Sequence, residues 1–390
     1  MSQQSFRGLG VSASVADALA ARSILEPFRI QSLVLPDALA GLDVLAKSPT
    51  GSGKTLAFAV PIVERTTTDD ARPSALVLVP TRELAGQVTE ALASIAPVKG
   101  LRVASVYGGV PLRKQADKAR TAHVVVATPG RLEDLAQRKL IDLSRIRILV
   151  LDEADRMLDM GFKPQVDRIV RRVPRNRQTM FFSATLDGEV GELARAYTSG
   201  ASNFSAQAPA DKTEGEIEHR FVPVSTDSKV ETLVEHLRAA PGRTLVFVRT
   251  KRGADRLVKR LARHDVKAEA MHGDMAQRSR QRALERFESG RVPVLVATDV
   301  AARGLDIDDI EHVINFDPPD EDKGYLHRTG RTGRAGKSGI AVTFVLPEQQ
   351  AEASRVASRL GHREKFEEAG MPTARAKLVY TSRRGRRSKW

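Results

Sequence analysis

The sequence predicts an α/β fold in which two parallel-sheet domains follow one another along the chain. Short runs of Val, Ile, Leu and Ala alternate with longer mixed polar and apolar stretches, as in strands joined by crossover helices. Runs such as Ile148–Leu151 are apolar throughout, which is typical of central parallel strands with both faces buried. Small, polar and helix-breaking residues interrupt the alternation near residues 199–215, and 390 residues suffice for two domains of roughly 150 residues.

The alternation predicts strands on both sides of this interruption. In the first half the predicted strands are Asp43–Ala46, Ala75–Val79, Val103–Val106, His123–Ala127, Arg147–Leu151 and Thr179–Phe182. In the second half they are Phe221–Val224, Thr244–Val248, Val294–Ala297, His312–Asn315 and Ile340–Leu346. We expect an N-terminal domain over residues 1–202, a linker over 203–215, a C-terminal domain over 216–350 and a basic, partly disordered tail over 351–390. The alternative is a surface loop at 199–215 within one large domain.

The charge of the chain predicts a polyanionic partner. Lys and Arg number 62 against 48 Asp and Glu, which gives a net charge of +14. Residues 371–390 hold half of this excess, with seven basic residues and no acid. Two interpretations of this tail remain open: a solvated end of the chain, or a non-specific contact with phosphates.

The composition also excludes several classes of protein. The chain has no cysteine, so disulfides and cysteine-ligated zinc are excluded, and a reducing cytoplasm is the expected location. No apolar run reaches the roughly 18 residues of a membrane span, and the N-terminus does not resemble a signal peptide. We therefore expect a cytoplasmic protein that does not contact a membrane.

A glycine-rich turn between a strand and a helix predicts a nucleoside triphosphate site. Glycines let backbone N–H groups approach phosphates, and the N-terminus of the following helix adds a favourable dipole. Lys54 is expected to reach the β- and γ-phosphates, and the hydroxyl of Thr55 to bind Mg²⁺. The candidate phosphate-binding residues are Ser48, Pro49, Thr50, Gly51, Ser52, Gly53, Lys54 and Thr55.

Two acidic residues follow the apolar strand that ends at Leu151. Ligands of open α/β sheets bind at the carboxyl ends of the strands, where Asp152 and Glu153 are expected. Asp152 is suited to hold Mg²⁺, and Glu153 to orient and deprotonate an attacking water. A solvated turn is the alternative for an isolated acidic pair, but the glycine-rich turn about a hundred residues upstream favours the catalytic interpretation.

The segment Leu149–Phe162, which contains Asp152-Glu153-Ala154-Asp155, resembles the motif that names the DEAD-box ATP-dependent RNA helicases. Other motifs of this family occur in the family's order. They are Pro80–Gln87, Gly108-Gly109, Thr128–Arg131, Ser183–Thr185, Val246–Thr250, Gln277–Arg280, Ala297–Asp306 and His327–Arg334. The resemblance covers about residues 6–346 and implies two tandem RecA-like domains in a helicase of the compact bacterial type.

The family's adenine-reading motif is matched less well. Within Ser23–Gln31, Pro27, Ile30 and Gln31 agree with the family pattern, whereas its Gly and second Pro are absent. The amide of Gln31 can pair with the adenine edge because it presents both a donor and an acceptor. Phe6 lies at the spacing of a family aromatic that stacks on the base; the alternative for Phe6 is a loosely packed terminal residue. The strength of the preference for ATP stays open.

The resemblance implies roles for residues in both domains. Lys54, Asp152, Glu153, Arg331 and Arg334 are the implied catalytic residues, the two arginines acting as fingers on the γ-phosphate, and Asp299 and Asp306 would approach the nucleotide. The residues implied to couple the domains are Asp155, Ser183, Thr185, His327 and Arg328. The residues implied to contact RNA are Pro80, Thr81, Arg82, Gly109, Thr128, Pro129, Gly130, Arg131, Arg249, Thr250, Gln277, Arg280, Thr298 and Gly304.

The implied activity is ATP-dependent remodelling of single-stranded and duplex RNA by a monomer that requires ATP and Mg²⁺, with ribosomal particles or RNA-decay proteins as possible partners. Three alternatives use the same architecture. A DNA translocase is disfavoured by the Asp-Glu-Ala-Asp motif and the remnant adenine motif. A nucleotide-gated RNA clamp or annealing factor has nearly the same sequence and stays open. A pseudo-enzyme is disfavoured by the intact Lys54, Glu153, Arg331 and Arg334.

Overall fold

The computed structural model describes residues 5–48, 52–206, 215–239, 242–302, 310–333 and 337–373. The chain divides into two units: the main segment of the first ends at residue 213, and the second begins at residue 214. Each unit is built on a parallel β-sheet of its own. The predicted fold class, two tandem parallel-sheet α/β domains, is therefore confirmed.

The first unit contains a seven-stranded sheet whose strands all pair in parallel. Its strands are β1 (Val44–Lys47), β2 (Ala75–Leu78), β3 (Val103–Val106), β4 (Val124–Ala127), β5 (Ile148–Leu151), β6 (Gln178–Ser183) and β7 (Ser202–Ser205). They lie in the order β3-β4-β2-β5-β6-β1-β7. Strand β1, which leads into the glycine-rich turn, lies beside β6, and β5, which leads into the acidic pair, lies on the other side of β6.

Helices cover both faces of this sheet. They are α1 (Ala13–Ala20), α2 (Arg29–Ala40), α3 (Lys54–Arg65), α4 (Arg82–Ile95), α5 (Leu112–Thr121), α6 (Pro129–Gln137), α7 (Ala154–Asp159), α8 (Lys163–Val170) and α9 (Gly188–Tyr197), with short 3₁₀ helices at Arg7–Leu9 and Ala96–Lys99. Alternate residues of a strand enter opposite layers: Leu76 and Leu78 belong to one hydrophobic cluster, Val77 and Val79 to the other. This two-sided burial is the reason why the strand segments read as continuous apolar runs.

The second unit contains a six-stranded parallel sheet. Its strands are β8 (Ile217–Pro223), β9 (Thr244–Phe247), β10 (Ala268–Met271), β11 (Val294–Ala297), β12 (His312–Asn315) and β13 (Gly339–Val345). They lie in the order β10-β11-β9-β12-β13-β8. Its helices are α10 (Lys229–Ala239), α11 (Lys251–Ala262), α12 (Gln277–Glu288), α13 (Asp299–Ala302), α14 (Asp322–Thr329), α15 (Gln350–Arg359) and α16 (Arg363–Glu368), with a 3₁₀ helix at Pro347–Gln349.

The last two helices belong to the core of the second unit, which differs from the predicted tail over 351–390. Phe366 of α16 is fully buried and packs edge-on against Phe221 of β8, with ring centroids 5.2 Å apart. Met371 is buried in the same cluster, together with Tyr325 of α14. The basic composition after residue 371 concealed the apolar spacing that precedes it. Residues 374–390 of the predicted tail lie outside the described residues.

Two edge strands were not predicted. Ser202–Ser205 pairs with β1, although the linker was expected to begin at residue 203. Ala268–Met271 pairs with β11 and forms one edge of the six-stranded sheet. Most residues of both strands are polar or small, and most of their side chains are at least partly exposed, as in a strand with only one neighbour. Among the described residues, no helix combines the length and the apolar character needed to cross a membrane.

Candidate active site

The glycine-rich turn of the first unit begins where β1 ends. Ser48 is 1% exposed, and its backbone N–H donates to the carbonyl of Ser183 at 2.9 Å, which ties the turn to β6. The hydroxyls of Ser48 and Ser52 lie 2.5 Å apart. Lys54 begins α3 and donates from Nζ to the carbonyl of Ser48 at 3.0 Å. The lysine is thus folded back over the turn that precedes it, with Thr55 next to it in the first turn of the helix.

Gly53 can be replaced by no other residue without strain. Its φ is 86°, in the left-handed region that favours glycine. A Cβ atom built here would lie 2.3 Å from Cδ2 of Phe28 and 2.7 Å from Nε2 of Gln31. The glycine therefore serves both the backbone turn and the close approach of α2 to the phosphate-binding loop.

Gln31 connects the adenine-reading motif to this loop. Its Nε2 donates to the carbonyl of Gly53 at 2.8 Å, and its Oε1 accepts from the backbone N–H of Phe28 at 2.9 Å. A cavity of about 440 Å³ lies beside it, lined in part by Ile24, Phe28 and Leu56. Phe28 is 55% exposed, so it presents an open aromatic face next to Gln31.

Phe6 lies in a position that neither interpretation of the sequence predicted. The ring is 3% exposed and lies in the hydrophobic core of the first unit, in the same cluster as Leu9, Val15 and Ile30. A base cannot stack on a ring that is covered on both sides, and a core residue is not loosely packed. The apolar spacing of the segment from Phe6 to Leu19 was the sequence feature that pointed to burial.

The acidic pair lies at the carboxyl end of β5, as predicted. Asp152 is 2% exposed and accepts a hydrogen bond from the backbone N–H of Glu153 at 3.0 Å. Glu153 is 7% exposed and adopts a left-handed backbone conformation, with φ 52° and ψ 50°. Its Oε2 pairs with Nη1 of Arg156 at 2.5 Å. Left-handed non-glycine residues cost of the order of 1 kcal/mol, so the surrounding fold holds Glu153 against an intrinsic preference.

Burial raises the pKa of Asp152 to about 7, because the carboxyl group has almost no contact with water. The positive charge of Lys54 acts in the opposite direction, while the neighbouring Glu153 and Asp155 raise the pKa further. A cation placed next to this carboxyl group would favour its ionised form. The pKa shift thus has the direction expected for an acid whose burial outweighs the effect of the nearby Lys54.

The fourth residue of the acidic motif contacts the Ser-Ala-Thr segment at the end of β6. Oδ2 of Asp155 accepts from the backbone N–H of Ala184 at 3.2 Å. The hydroxyl of Ser183 accepts from the backbone N–H groups of Asp155 at 3.3 Å and Thr185 at 3.4 Å. The two segments, 28 residues apart, are therefore joined by several hydrogen bonds within the first unit.

Two helix N-termini at the same edge carry residues assigned to RNA. Thr81 precedes α4, and its hydroxyl accepts from the backbone N–H of Leu84 at 3.2 Å. Thr128 precedes α6, in which Pro129 and Gly130 form the first turn. Strands β2 and β4, which lead into these helices, are neighbours in the sheet. Pro80 and Thr81 lie in the turn after β2. Backbone N–H groups and positive dipoles at such ends are suited to phosphates.

Two arginines are fixed beside these helix ends. The guanidinium of Arg82 lies over Gly108 and Gly109, and a Cβ atom on Gly109 would approach its Nη1 to 2.6 Å. Arg131 donates from Nη1 to the carbonyl of Val110 at 2.8 Å and to Oε1 of Gln115 at 2.9 Å. Gln115 was not predicted as a site residue; it is 5% exposed, and its Oε1 accepts a hydrogen bond from Arg131.

In the second unit, Asp299 and Arg328 form a bidentate ion pair. Nε of Arg328 lies 2.6 Å from Oδ1 of Asp299, and Nη2 lies 2.7 Å from Oδ2. The arginine side chain is 5% exposed and the carboxylate 32%. Both carboxylate oxygens of Asp299 accept hydrogen bonds from Arg328, and the approach of Asp299 to a nucleotide stays a prediction. This pair joins α13 to α14, which carries the arginine-rich motif.

Asp317 is the centre of a network that was not predicted from the sequence. Its carboxylate pairs with Nζ of Lys229 at 2.7 Å and accepts from the backbone N–H of Arg249 at 2.9 Å. Its carbonyl accepts from Nη1 of Arg328 at 2.6 Å, and that nitrogen also reaches Oδ1 of Asn315 at 3.2 Å. An acid shortly after a buried strand was the available signal, since the same position identified Asp152.

The remaining predicted residues C-terminal to the linker lie at strand and helix ends. Thr250 caps α11 by accepting from the N–H of Gly253 at 3.0 Å, and Nη2 of Arg249 pairs with Asp320 at 2.5 Å. Thr298 follows β11 and is 7% exposed. Gln277 and Arg280 lie in the first turn of α12, His327 is exposed on α14, and Arg331 is buried just beyond it. Pro49, Thr50, Gly51, Gly304, Asp306 and Arg334 lie outside the described residues.

The fold and these contacts are typical of two-domain, P-loop nucleotide-binding proteins, and the helix ends are suited to a nucleic-acid backbone. Comparisons with known proteins narrow this class. The family model of DEAD/DEAH box helicases matches residues 28–193, and that of the helicase conserved C-terminal domain matches residues 228–336. The chain belongs to the family of DEAD-box ATP-dependent RNA helicases, which confirms the resemblance identified in the sequence.

Individual relatives agree with this assignment. The chain is 43% identical over 346 residues to the DEAD-box ATP-dependent RNA helicase CshA of Streptococcus pneumoniae, covering 88% of this chain and 66% of the relative. It is 40% identical to CshA of Geobacillus kaustophilus, covering 88% of this chain and 74% of the relative. The chain thus spans slightly less than two thirds of the length of the pneumococcal relative.

Solved structures show the same architecture. S. cerevisiae Dbp5 bound to RNA and ADP BeF3 is similar with a TM-score of 0.79 and 30% identity, covering 96% of this chain and 95% of that chain. A DEAD box protein from the hyperthermophile Methanococcus jannaschii is similar with a TM-score of 0.52 and 34% identity, covering 95% of this chain and 98% of that chain. Both likenesses extend over the two sheets described above.

Proposed function

We propose that this protein is an RNA-stimulated ATPase and RNA helicase that locally unwinds or remodels RNA duplexes and RNA–protein complexes. In this proposal, ATP hydrolysis is coupled to closure of the two domains around single-stranded RNA. The observation that carries the proposal is the buried pair Asp152 and Glu153 at the same sheet edge as the Lys54 turn. Family membership and the similarity to an RNA-bound Dbp5 structure support RNA as the ligand.

The donor groups of the first unit fit ATP with Mg²⁺. Mg²⁺ is usually held by one or two carboxylates together with phosphate oxygens and waters. Asp152 and the hydroxyl of Thr55 would supply the protein oxygens, and the raised pKa of Asp152 is the shift that a bound cation would reverse. Within the described ranges no three His, Asp or Glu side chains gather into a metal site of their own. This agrees with a metal that arrives with the phosphates.

Each residue then has a defined task in hydrolysis. Lys54 would neutralise the β- and γ-phosphates, and Glu153 would orient the attacking water and accept its proton. Arg331 and Arg334 would stabilise negative charge that develops on the γ-phosphate. Asp299 and Asp306 would lie towards the nucleotide. Asp299 would also hold Arg328 in position through its hydrogen bond with that side chain. When bound, Mg²⁺ would neutralise phosphate charge that the side chains do not reach.

RNA recognition would depend on the backbone rather than on base identity. The helix ends at Thr81, Thr128 and Thr250 offer N–H groups and hydroxyls, and Arg82 and Arg131 are held in place by neighbouring backbone and side-chain groups. Such groups suit phosphates and sugars and carry no sequence information. The other residues that the family resemblance implies to contact RNA, the first of which is Pro80 and the last Gly304, belong to the same proposal. Coupling between the domains would pass through Asp155, Ser183, Thr185, His327 and Arg328.

The variant Glu153→Gln tests the assigned base. The amide keeps the shape of the side chain but cannot accept the proton, so turnover should fall by about 10²–10⁴-fold while ATP-dependent RNA binding is retained. Steady-state ATPase and filter-binding assays with an RNA oligonucleotide measure the two properties. Glu189→Gln, which alters an exposed glutamate of α9, is the matched control. Normal turnover of the Glu153 variant would disprove the assigned role.

Strand displacement distinguishes the helicase from the other proposals. We expect ATP-dependent separation of a short RNA duplex and stronger ATPase stimulation by RNA than by DNA of equal length. Nucleotide-dependent RNA binding without displacement would identify a clamp or annealing factor. Equal stimulation by DNA would identify a general translocase.

We further propose that the protein acts in the cytoplasm as a monomer on ribosomal particles or with RNA-decay proteins. The absence of cysteine and the basic charge support this location and a polyanionic target. A basic contact from residues 374–390 would add sequence-independent affinity. Deleting them leaves the buried Met371 in place, so RNA affinity and its salt dependence should fall while RNA-independent ATPase is preserved. Crosslinking in cells followed by RNA sequencing would identify the targets.

A further inference from the structure

A basic groove lies at the edge of the first sheet opposite the candidate active site. Its cavity measures about 670 Å³ and is lined by residues that precede four neighbouring strands: Arg72 before β2, Arg120 before β4, Lys139–Arg145 before β5 and Arg172 before β6. The predicted motifs follow the carboxyl ends of these same strands. Strands of four residues span about 13 Å, so the groove and the active site are separate surfaces of one sheet.

The groove carries an excess of positive charge. Five basic side chains line it, and Asp142 is the only acid among its lining residues. Asp142 already has a partner in Arg145 at 3.8 Å, and the acid nearest to Arg120 is Asp117 at 2.6 Å. After both acids are counted, about three positive charges remain. The basic lining residues are solvent-exposed rather than buried.

Helix dipoles account for only part of this charge. Helices α5, α6 and α8 end beside the groove, and each C-terminus carries about half a negative charge. Three such ends supply roughly −1.5, which is less than the positive excess. Arg172 does serve a helix end, since its Nη1 donates to the carbonyl of Ala136 at 3.2 Å. Among the described residues, Lys139 has no ion pair. Its backbone is left-handed, with φ 55°, a conformation in which glycine is the usual residue.

We propose that this groove binds the phosphate backbone of RNA outside the segment held by the helicase motifs. The proposal rests on the proposed function, which supplies RNA as the ligand. Exposed cations separated by small steps along an open groove favour a polyanion over a single anion. The second surface would hold structured RNA close to the site of unwinding and leave the motifs free to act on a short single strand.

The double variant Lys139→Gln/Arg145→Gln tests the groove. Each lost phosphate contact should reduce the slope of log K against log salt by about 0.7–0.9 and weaken binding several-fold at moderate salt. We expect roughly tenfold weaker binding of a long RNA with a duplex and a single-stranded extension. ATPase stimulated by an oligonucleotide of about six nucleotides should be unchanged. Arg22→Gln/Arg195→Gln is the control, because it removes the same net charge from exposed positions elsewhere in the first unit.

The absence of cysteine permits a second measurement on the full chain. Ser144→Cys places a single thiol in the groove, and Ser14→Cys places one on α1 as a control. A thiol-attached photocrosslinker should capture the long RNA from position 144 and not from position 14. An intact response to the short oligonucleotide shows that the proposed ATPase function stands, whatever the result at the groove.

Three results would overturn the inference. The first is a groove variant that binds long RNA as tightly, and with the same salt slope, as the control variant. The second is an equal loss with the short oligonucleotide, which would mean that the substitutions act through the helicase motifs. The third is competition for the crosslinker at position 144 by polyglutamate but not by RNA, which would assign the groove to an acidic protein.

Discussion

The ion pair between Asp299 and Arg328 offers the sharpest test of the second unit. Arg328 is 4% exposed, and its guanidinium makes four hydrogen bonds, two of them to Asp299. It also lies 5.0 Å from the ring centroid of Phe247. Removing Asp299 would leave a buried guanidinium without its counter-charge. This uncompensated charge, rather than the net value of the pair, sets the size of the effect.

We expect Asp299→Ala to lower the free energy of unfolding of the second unit by about 3–5 kcal/mol, the usual cost of breaking a buried pair from one side. Arg328→Met should cost less, about 1–3 kcal/mol, because the remaining carboxylate is 32% exposed and can be hydrated. The double variant should then be about as stable as Arg328→Met alone. The coupling energy would then equal the cost of Asp299→Ala alone, about 3–5 kcal/mol.

Hydrogen exchange of the full-length protein, followed in peptides from β12 and α14, measures this cycle without assuming a single two-state transition. Asp320→Ala is the control, since Asp320 is exposed and pairs with the exposed Arg249. Because Arg331 lies three residues after Arg328, RNA-stimulated turnover should also fall in both single variants. Additive losses, or a cost below about 1 kcal/mol for Asp299→Ala, would refute the argument.

Three further variants test other parts of the structure. Asp152→Asn should stabilise the Mg²⁺-free protein by up to about 4 kcal/mol at pH 8, with no gain below about pH 4, since a pKa raised to about 7 destabilises the ionised carboxyl. Phe366→Ala should cost about 3–5 kcal/mol, because the ring is fully buried against Phe221. Gly53→Ala should weaken ATP binding at least tenfold, because its Cβ meets Phe28.

For each of these three variants, one experimental result would contradict the predicted effect. A pH-independent difference between wild type and Asp152→Asn in chemical denaturation would show that the carboxyl is not destabilised by burial. Thermal unfolding of the Phe366 variant within about 0.5 kcal/mol of wild type would remove α16 from the core, with exposed Leu326→Ala as its control. Unchanged ATP affinity of the Gly53 variant in nucleotide titrations would show that the loop can adjust around a methyl group.

Much of the fold follows from local sequence patterns. The central strands were predictable because two-sided burial makes them apolar throughout, as in Val124–Ala127. The edge strand Ser202–Ser205 was not, because its register is set by β1 and half of its residues face solvent. Phe366 and Met371 were overlooked for a related reason: their burial depends on Phe221 and Tyr325, which are far away in sequence.

The site shows the same division. Lys54, Asp152 and Glu153 were predictable because each directly follows a strand or a glycine turn, and the sheet edge brings such positions together. The partners of other site residues were not, since Gln115 and Asn315 are 16 and 13 residues from the arginines they contact, and Lys229 is 88 residues from Asp317. Phe6 was misplaced because spacing relative to a motif says nothing about whether a ring is covered.

A comparison of strand ends in the two units suggests why only the first would bind the metal–nucleotide. In both units an acid follows a buried parallel strand: Asp152 after β5, and Asp299 after β11. In the second unit the acid is already paired with a cation, because Arg328 donates hydrogen bonds to both carboxylate oxygens of Asp299. In the first unit Lys54 bonds the carbonyl of Ser48, and Asp152 stays buried with a raised pKa. A divalent cation would relieve that cost in the first unit, whereas in the second it would have to displace a bidentate arginine.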